Sequence, residues 1–169
     1  SSCSPDFGQQ GVLDRFGQIE PKLIFVVDGY YYNGKAHDTI ERVKSFLDDL
    51  PSIENIVMVE YIQTYQGDIE NCSTLLEVLS NQSENEVVFT HVPFDHPLYI
   101  LYSSGTTGAP KCIVHGHGGT LLQHLKELQL HADVREDDRV FYFTTCSWMM
   151  WNWLVSALAS KAAVMLYDG

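Results

Sequence analysis

The run Tyr102-Ser-Ser-Gly-Thr-Thr-Gly-Ala-Pro-Lys111 constrains this chain most. Its two glycines let the backbone turn sharply and approach a ligand closely. The apolar segments on either side, Leu98 to Ser103 and Lys111 to His115, both read as strands. A Gly/Ser/Thr linker would have neither those flanks nor Pro110-Lys111 at its close. The run is therefore a structured loop joining two strands. Successive backbone N–H groups in such a loop can form a concave anion site. The hydroxyls of Ser103, Ser104, Thr106 and Thr107 add donors, and Lys111 adds a point charge suited to phosphate. A Walker P-loop is excluded. That motif needs a glycine directly before its lysine and a helix after it, whereas Gly105 and Gly108 are too close and an apolar strand follows Lys111.

The rest of the chain alternates short apolar runs with helical spacing. Strands are predicted at Leu23–Val27, Ile56–Val59, Val87–Thr90, Leu98–Tyr102, Val140–Thr144 and Ala163–Leu166. Asp38 to Leu50 spaces Ile40, Val43, Leu47 and Leu50 as a helix, with Asp38 and Glu41 as a capping box and Pro51 as the stop. A second box, Thr74 with Glu77, opens a short helix to Leu79. Thr120 to Leu130 places Leu121, Leu125 and Leu128 on one stripe, with Thr120 and Gln123 as the cap pair. Trp148 to Ala159 is a further helix. This alternation predicts an α/β fold with a largely parallel sheet and flanking helices. Ligands in such folds bind outside the carboxyl ends of the strands, which is where the glycine-rich loop leaves Tyr102. The polar stretch from Asn81 to Glu86 reads as an exposed loop and not a domain boundary.

With 22 acidic against 10 basic residues the formal charge is −12, and most of the acid lies before Pro97. Such a surface repels phosphate backbones, which argues against nucleic-acid binding. No run reaches the roughly 18–20 apolar residues of a membrane span. The four cysteines, Cys3, Cys72, Cys112 and Cys146, show no paired spacing, and Cys112 and Cys146 read as reduced core residues, as expected in a reducing cytosol.

Three side readings compete. Cys112, His115 and His117 suggest zinc, since alternation puts both histidines on one strand face, but no fourth ligand is evident. His117-Gly118-Gly119 echoes a lipase oxyanion segment, but no G-x-S-x-G elbow accompanies it. Turn residues leading to a helix account for both. Trp148, Met149, Met150 and Trp151 read by composition as buried helix.

The loop resembles the phosphate loop of the adenylate-forming enzymes, the acyl-CoA synthetase and luciferase superfamily, whose pattern is [ST]-S-G-[ST]-T-G-x-P-K. Every fixed position is filled here. The resemblance continues through Ile113-Val-His-Gly-His-Gly-Gly119 and Phe143-Thr-Thr-Cys-Ser-Trp-Met-Met-Trp-Asn152. Met149-Met150-Trp151-Asn152 is similar to the acetoacetate-activating branch of the family, as is the upstream segment from Gly11 to Val27. It is loosest from Thr64 to Asn85. The resemblance implies an ATP-dependent ligase that activates a small acid, acetoacetate, as an acyl-adenylate and passes it to CoA. Acetate or propionate would be the rival acids. It implies that Ser103, Ser104, Gly105, Thr106, Thr107, Gly108 and Lys111 hold the β- and γ-phosphates, with Mg²⁺ bridging phosphate oxygens. It shifts Trp148, Met149 and Met150 from core towards the acyl pocket. Family members are several times longer, and motifs for adenylation lie outside these 169 residues. The expectation is a part of the N-terminal AMP-binding domain, without the C-terminal lid domain, inert alone. A truncated non-catalytic product is the other reading of so short a chain.

Overall fold

The computed structural model describes residues 1–81, 86–103 and 108–167. The chain folds as two compact units, Pro5–Val88 and a second made of Ser1–Ser4 with Phe89–Asp168. The division falls just beyond the polar stretch that the sequence reads as a loop.

In the first unit, β1 (Leu23–Val27) and β4 (Asn55–Val59) are runs of β-branched and apolar residues, and they pair in parallel with Ile24 opposite Ile56 and Val26 opposite Met58. β5 (Cys72–Thr74) joins on the far side of β4, giving the order β1-β4-β5. The crossover from β1 to β4 contains a hairpin of β2 (Gly29–Tyr32) and β3 (Lys35–Asp38), then helix α2 (Ile40–Leu47). Helix α1 (Gln9–Phe16) precedes β1. The core joins Ile24 and Val26 from β1, Ile56 and Met58 from β4, and Ile40, Val43 and Phe46 from α2. Each such side chain contributes about 1.5–3 kcal/mol by leaving water.

α2 starts later than the spacing predicts, and the Asp38–Glu41 box does not form. Asp38 is held in the β-ladder opposite Gly29, so Thr39 becomes the cap residue. The Asp38 carboxylate still accepts from Ile40 N at 2.8 Å, while Glu41 turns to Lys44 at 2.8 Å. The second box is formed as read. Thr74 Oγ1 accepts from Glu77 N at 3.2 Å and the Glu77 carboxylate accepts from Thr74 N at 2.7 Å, at the start of α3 (Leu75–Ser80). No strand forms at Val87–Thr90, where Val88 and Phe89 are exposed and no ladder partner exists among the described residues.

The second unit opens with an antiparallel hairpin of β6 (Pro97–Tyr102) and β7 (Cys112–Gly116). Helix α4 (His117–Leu125) leaves β7 directly and widens into a π-helical turn, Lys126–His131. Its buried stripe is His124 with Leu128, not the predicted Leu121, which is exposed. Helix α5 (Met149–Val155) runs into a 3-10 turn, Ser156–Ser160. The strand predicted at Val140–Thr144 shortens to β8 (Arg139–Val140), because its parallel partner β9 (Ala163–Val164) offers no further ladder. A small core of Leu128, Ala157 and Ala162 sits beneath Trp153. Among the described residues no helix is long and apolar enough to cross a membrane.

One buried charge organises the first unit. Asp28, at the end of β1, is fully buried. Its carboxylate accepts from the amides of Tyr61 at 2.7 Å, Ile62 at 2.9 Å and Thr64 at 2.8 Å. Burial pushes its pKa up, but the amides of Ile62, Thr64, Tyr61 and Tyr65 outweigh that and hold it below the usual carboxylate range. A depressed carboxyl stabilises the fold above its unfolded value, about 3.9, and loses that contribution as pH falls through its folded value. Asp28→Asn should therefore speed hydrogen exchange at the Tyr61, Ile62 and Thr64 amides about five- to a hundredfold near neutral pH. The gap between mutant and parent should close as pH is lowered below the folded Asp28 value.

Candidate functional site

Residues 102–103 and 110–112 lie at the base of the hairpin's connection. Tyr102 stands opposite Cys112 in the ladder. Beyond it the pairing continues in a second form: Ser103 N donates to Lys111 O at 3.0 Å, and Lys111 N donates to Ser103 Oγ at 3.0 Å. Serine thus replaces a backbone acceptor with its own hydroxyl and closes the loop across eight positions. Pro110 is buried beside this clasp while Lys111 is exposed. Gly108 has φ of +149°, a region that side-chain-bearing residues rarely adopt. Of the predicted phosphate-binding set, the structure brings Ser103 and Lys111 together, and Gly108 lies in the chain between them with open space around it among the described residues. Ser104, Gly105, Thr106 and Thr107 lie outside the described residues.

The histidine–glycine segment has a packing role. β7 ends at Gly116, so His117 opens α4 and does not share a strand face with His115. The predicted Thr120–Gln123 cap is not used, because the first helical amides find carbonyls elsewhere: His117 N donates to His96 O at 2.9 Å and Gly118 N to Phe94 O at 2.8 Å. A Cβ on Gly118 would come within 2.1 Å of the Phe94 ring. The imidazoles have aromatic neighbours, His115 against Tyr99 at 5.1 Å and His117 against His96 at 5.6 Å between ring centroids. Among the described residues no group of three or more His, Cys, Asp or Glu could hold a metal ion. Cys146, expected in a strand core, instead sits in an exposed turn before α5.

The residues expected at the acyl pocket cluster at the start of α5. Trp148 is its cap residue and 66% exposed, Met149 is 45% exposed, and Met150 is half-buried. The helix buries Leu154 on its other side. Trp148 and Met149 are thus not core residues of this unit, contrary to what composition suggests.

Sequence reasoning missed His124. It is buried in the last turn of α4, with Nδ1 2.7 Å from Ser156 Oγ. Burial, and then His115 nearby, hold its pKa below the ordinary imidazole range. The available signal was its position four residues before Leu128 on one helix face.

The AMP-binding enzyme model matches residues 1–169. The chain belongs to the AMP-binding enzyme family. It is 54% identical over 176 aligned residues to the acetoacetyl-coenzyme A synthetase of Rhizobium meliloti (strain 1021), covering 100% of this chain and 26% of that protein. It is 45% identical over 177 residues to malonamoyl-CoA synthetase vrtB of Penicillium aethiopicum, covering 100% of this chain and 24% of that protein. A solved structure of acetoacetyl-CoA synthetase from Streptomyces lividans superposes with a TM-score of 0.93 at 47% identity, covering 100% of this chain and 26% of that one. The chain therefore spans about a quarter of the length of these relatives. The mixed α/β architecture agrees with the fold class read from the sequence.

For this AMP-binding chain the close approach of Gly118 to Phe94 sets where α4 begins. Gly118→Ala should lower the melting midpoint, with a cost of about 1–3 kcal/mol from overpacking. Phe94→Leu should recover part of that loss in the double mutant, and thermal denaturation of the four variants of the cycle checks the coupling.

Proposed function

We propose that this chain is part of the N-terminal AMP-binding domain of a cytosolic ATP-dependent acid–thiol ligase, with the lid domain outside it, and that its acid is acetoacetate. The observation that carries the reading is the 54% identity to an acetoacetyl-coenzyme A synthetase along the whole chain. In the first half-reaction the acid's carboxylate attacks the α-phosphorus of ATP, giving the acyl-adenylate and pyrophosphate. In the second, the CoA thiolate attacks the activated carbonyl and AMP leaves.

The protein's task in the first step is to place the acid in line and to stabilise charge on the leaving pyrophosphate. The loop from Ser103 to Lys111 is suited to that task. Ser103 Oγ accepts from Lys111 N, so its own hydrogen would point to a phosphate oxygen. The exposed Lys111 ammonium would meet the β- and γ-phosphates as a mobile point charge. Amides of the glycine-rich segment would complete the cradle. The described donors here are a hydroxyl, amides and an ammonium, with no carboxylate among them. They fit phosphate oxygens and do not fit Mg²⁺, which would arrive bound to the nucleotide. Trp148, Met149 and Met150 would bound the acyl cavity, where bulk sizes the acid.

Malonamoyl-CoA synthetase at 45% identity gives a second acid to weigh, since malonamate and acetoacetate share a carbonyl two carbons from the carboxylate. Acid-dependent ATP–pyrophosphate exchange by the full-length polypeptide tests the reading, with acetoacetate, malonamate, acetate and propionate compared. Exchange selective for acetoacetate is expected. Selectivity for malonamate or acetate keeps the chemistry and overturns the acid, and no exchange with any of them overturns the ligase reading. Lys111→Ala should slow exchange by about a hundredfold, and an unchanged rate would remove Lys111 from the phosphate site.

A further inference from the structure

His124 is the one histidine among the described residues that is buried, at 6% exposure. Its Nδ1 lies 2.7 Å from Ser156 Oγ, and Ser156 Oγ donates to Asn152 O at 2.8 Å. A hydroxyl has a single hydrogen. Ser156 gives that hydrogen to the Asn152 carbonyl, so the imidazole must donate Nδ1–H to Oγ. Burial and the nearby His115 favour the neutral ring, which suits that tautomer. The donor sits in the last turn of α4, and the acceptor follows the last residue of α5.

These two helices carry different parts of the site. α4 grows without a break out of β7, whose neighbour Lys111 is clasped to Ser103. α5 opens with Met149 and Met150 behind its cap residue Trp148, and Ser156 follows its last residue, about 10 Å of helix away. The turns that continue the two helices also meet, through Leu128 against Ala157 with Trp153 of α5 packed on them, and through Gln129 Nε2, which donates to Ser160 Oγ at 3.1 Å farther along. Of the two hydrogen bonds, His124–Ser156 is the one that joins α4 itself to the end of α5, and its directionality fixes their register.

We propose that the His124–Ser156 hydrogen bond is a positioning device that sets α5 relative to the phosphate hairpin, and thereby determines how tightly and how selectively the acid is held. This rests on the acid-activating reading of α5 given above. His124 and Ser156 do not touch the reacting atoms. They act through the helix that presents Trp148, Met149 and Met150.

Four forms of the full-length enzyme test this: the parent, His124→Leu, Ser156→Ala and His124→Asn. The first two variants remove the donor and the acceptor, while an asparagine amide can put an N–H where Nδ1–H stood. In ATP–pyrophosphate exchange, KM for acetoacetate should rise about fivefold in His124→Leu and Ser156→Ala. The preference for acetoacetate over acetate should fall, and KM for ATP should stay. His124→Asn should return the acid KM towards the parent value. An unchanged acid KM in folded His124→Leu and Ser156→Ala overturns the proposal. So does a fall in kcat with both KM values unchanged, or a His124→Asn that behaves like His124→Leu. Should His124→Leu fail to fold, Ser156→Ala decides, since it removes a single oxygen. If the parent shows no exchange with any acid, the ligase reading fails by itself. The helix position is then read from the near-UV circular dichroism of Trp151 and Trp153 on α5. Altered spectra in His124→Leu and Ser156→Ala with a parent-like His124→Asn keep the positioning role, and parent-like spectra in all of them overturn it.

Discussion

The site depends on one reciprocal pairing, Ser103 with Lys111. An antiparallel ladder normally ends where its backbone donors and acceptors run out. Here a side-chain oxygen takes over as the last acceptor and brings the lysine backbone to the loop's base. Closing a loop costs chain entropy that grows slowly with length, and the β6–β7 ladder together with this clasp offsets it before any ligand arrives. The lysine backbone is then held against Ser103 while its side chain remains exposed. Pro110, buried next to the clasp, holds the chain extended on entry to β7.

Two buried polar groups extend the same logic. Asp28 keeps its charge because backbone amides surround it, and so it fixes the loop after β4 to the end of β1. His124 is held neutral and spends its donor on one hydroxyl. Neither could be replaced by an apolar residue without leaving its partners unsatisfied, which costs about 1–3 kcal/mol per buried group. The carboxylate fastens a turn and the imidazole fastens a helix pair, and both choices follow from what each site offers. Amides converge at the end of a strand, whereas a lone hydroxyl at a helix end needs a donor.

The sequence made the parallel strands β1 and β4, the Thr74–Glu77 box and the two strands around the glycine-rich loop legible, because local pattern and tertiary pairing agree there. It failed where distant partners decide. Asp38 and Glu41 have box spacing, but the β2–β3 hairpin claims Asp38 first. Thr120 looks like a cap, but carbonyls of Phe94 and His96 satisfy the helix three residues earlier. Val87–Val88 and Phe141–Phe143 have strand composition without a described ladder, and apolar character alone does not pair a backbone. Of the candidate site, the motif names Ser103, Gly108 and Lys111 through residue type and spacing, and the structure pairs Ser103 with Lys111. For His124 the sequence offers only its place four residues before Leu128 on one helix face, and not its partner, since Ser156 is 32 positions away. Asp28 was equally hidden among the many acidic residues, distinguished only by amides more than 30 positions downstream.

The acidity of the chain and an anionic ligand are reconciled by where the charges lie. From Pro97 onward there are five basic and six acidic side chains, so nearly all of the −12 belongs to the earlier residues. No Asp or Glu occurs between Asp95 and Glu127, the stretch that holds β6, the loop, β7 and α4. Exposed charges interact weakly in water, about 1 kcal/mol at 4 Å, and are screened beyond about 8 Å at physiological ionic strength. In the proposed reading the donors at the loop would act within about 3 Å of phosphate oxygens, where screening is least effective. The same partition predicts no long-range attraction of the nucleotide. Under the proposed reading, capture would fall to the local geometry of the hairpin, where the clasp between Ser103 and Lys111 sets the positions of the donors.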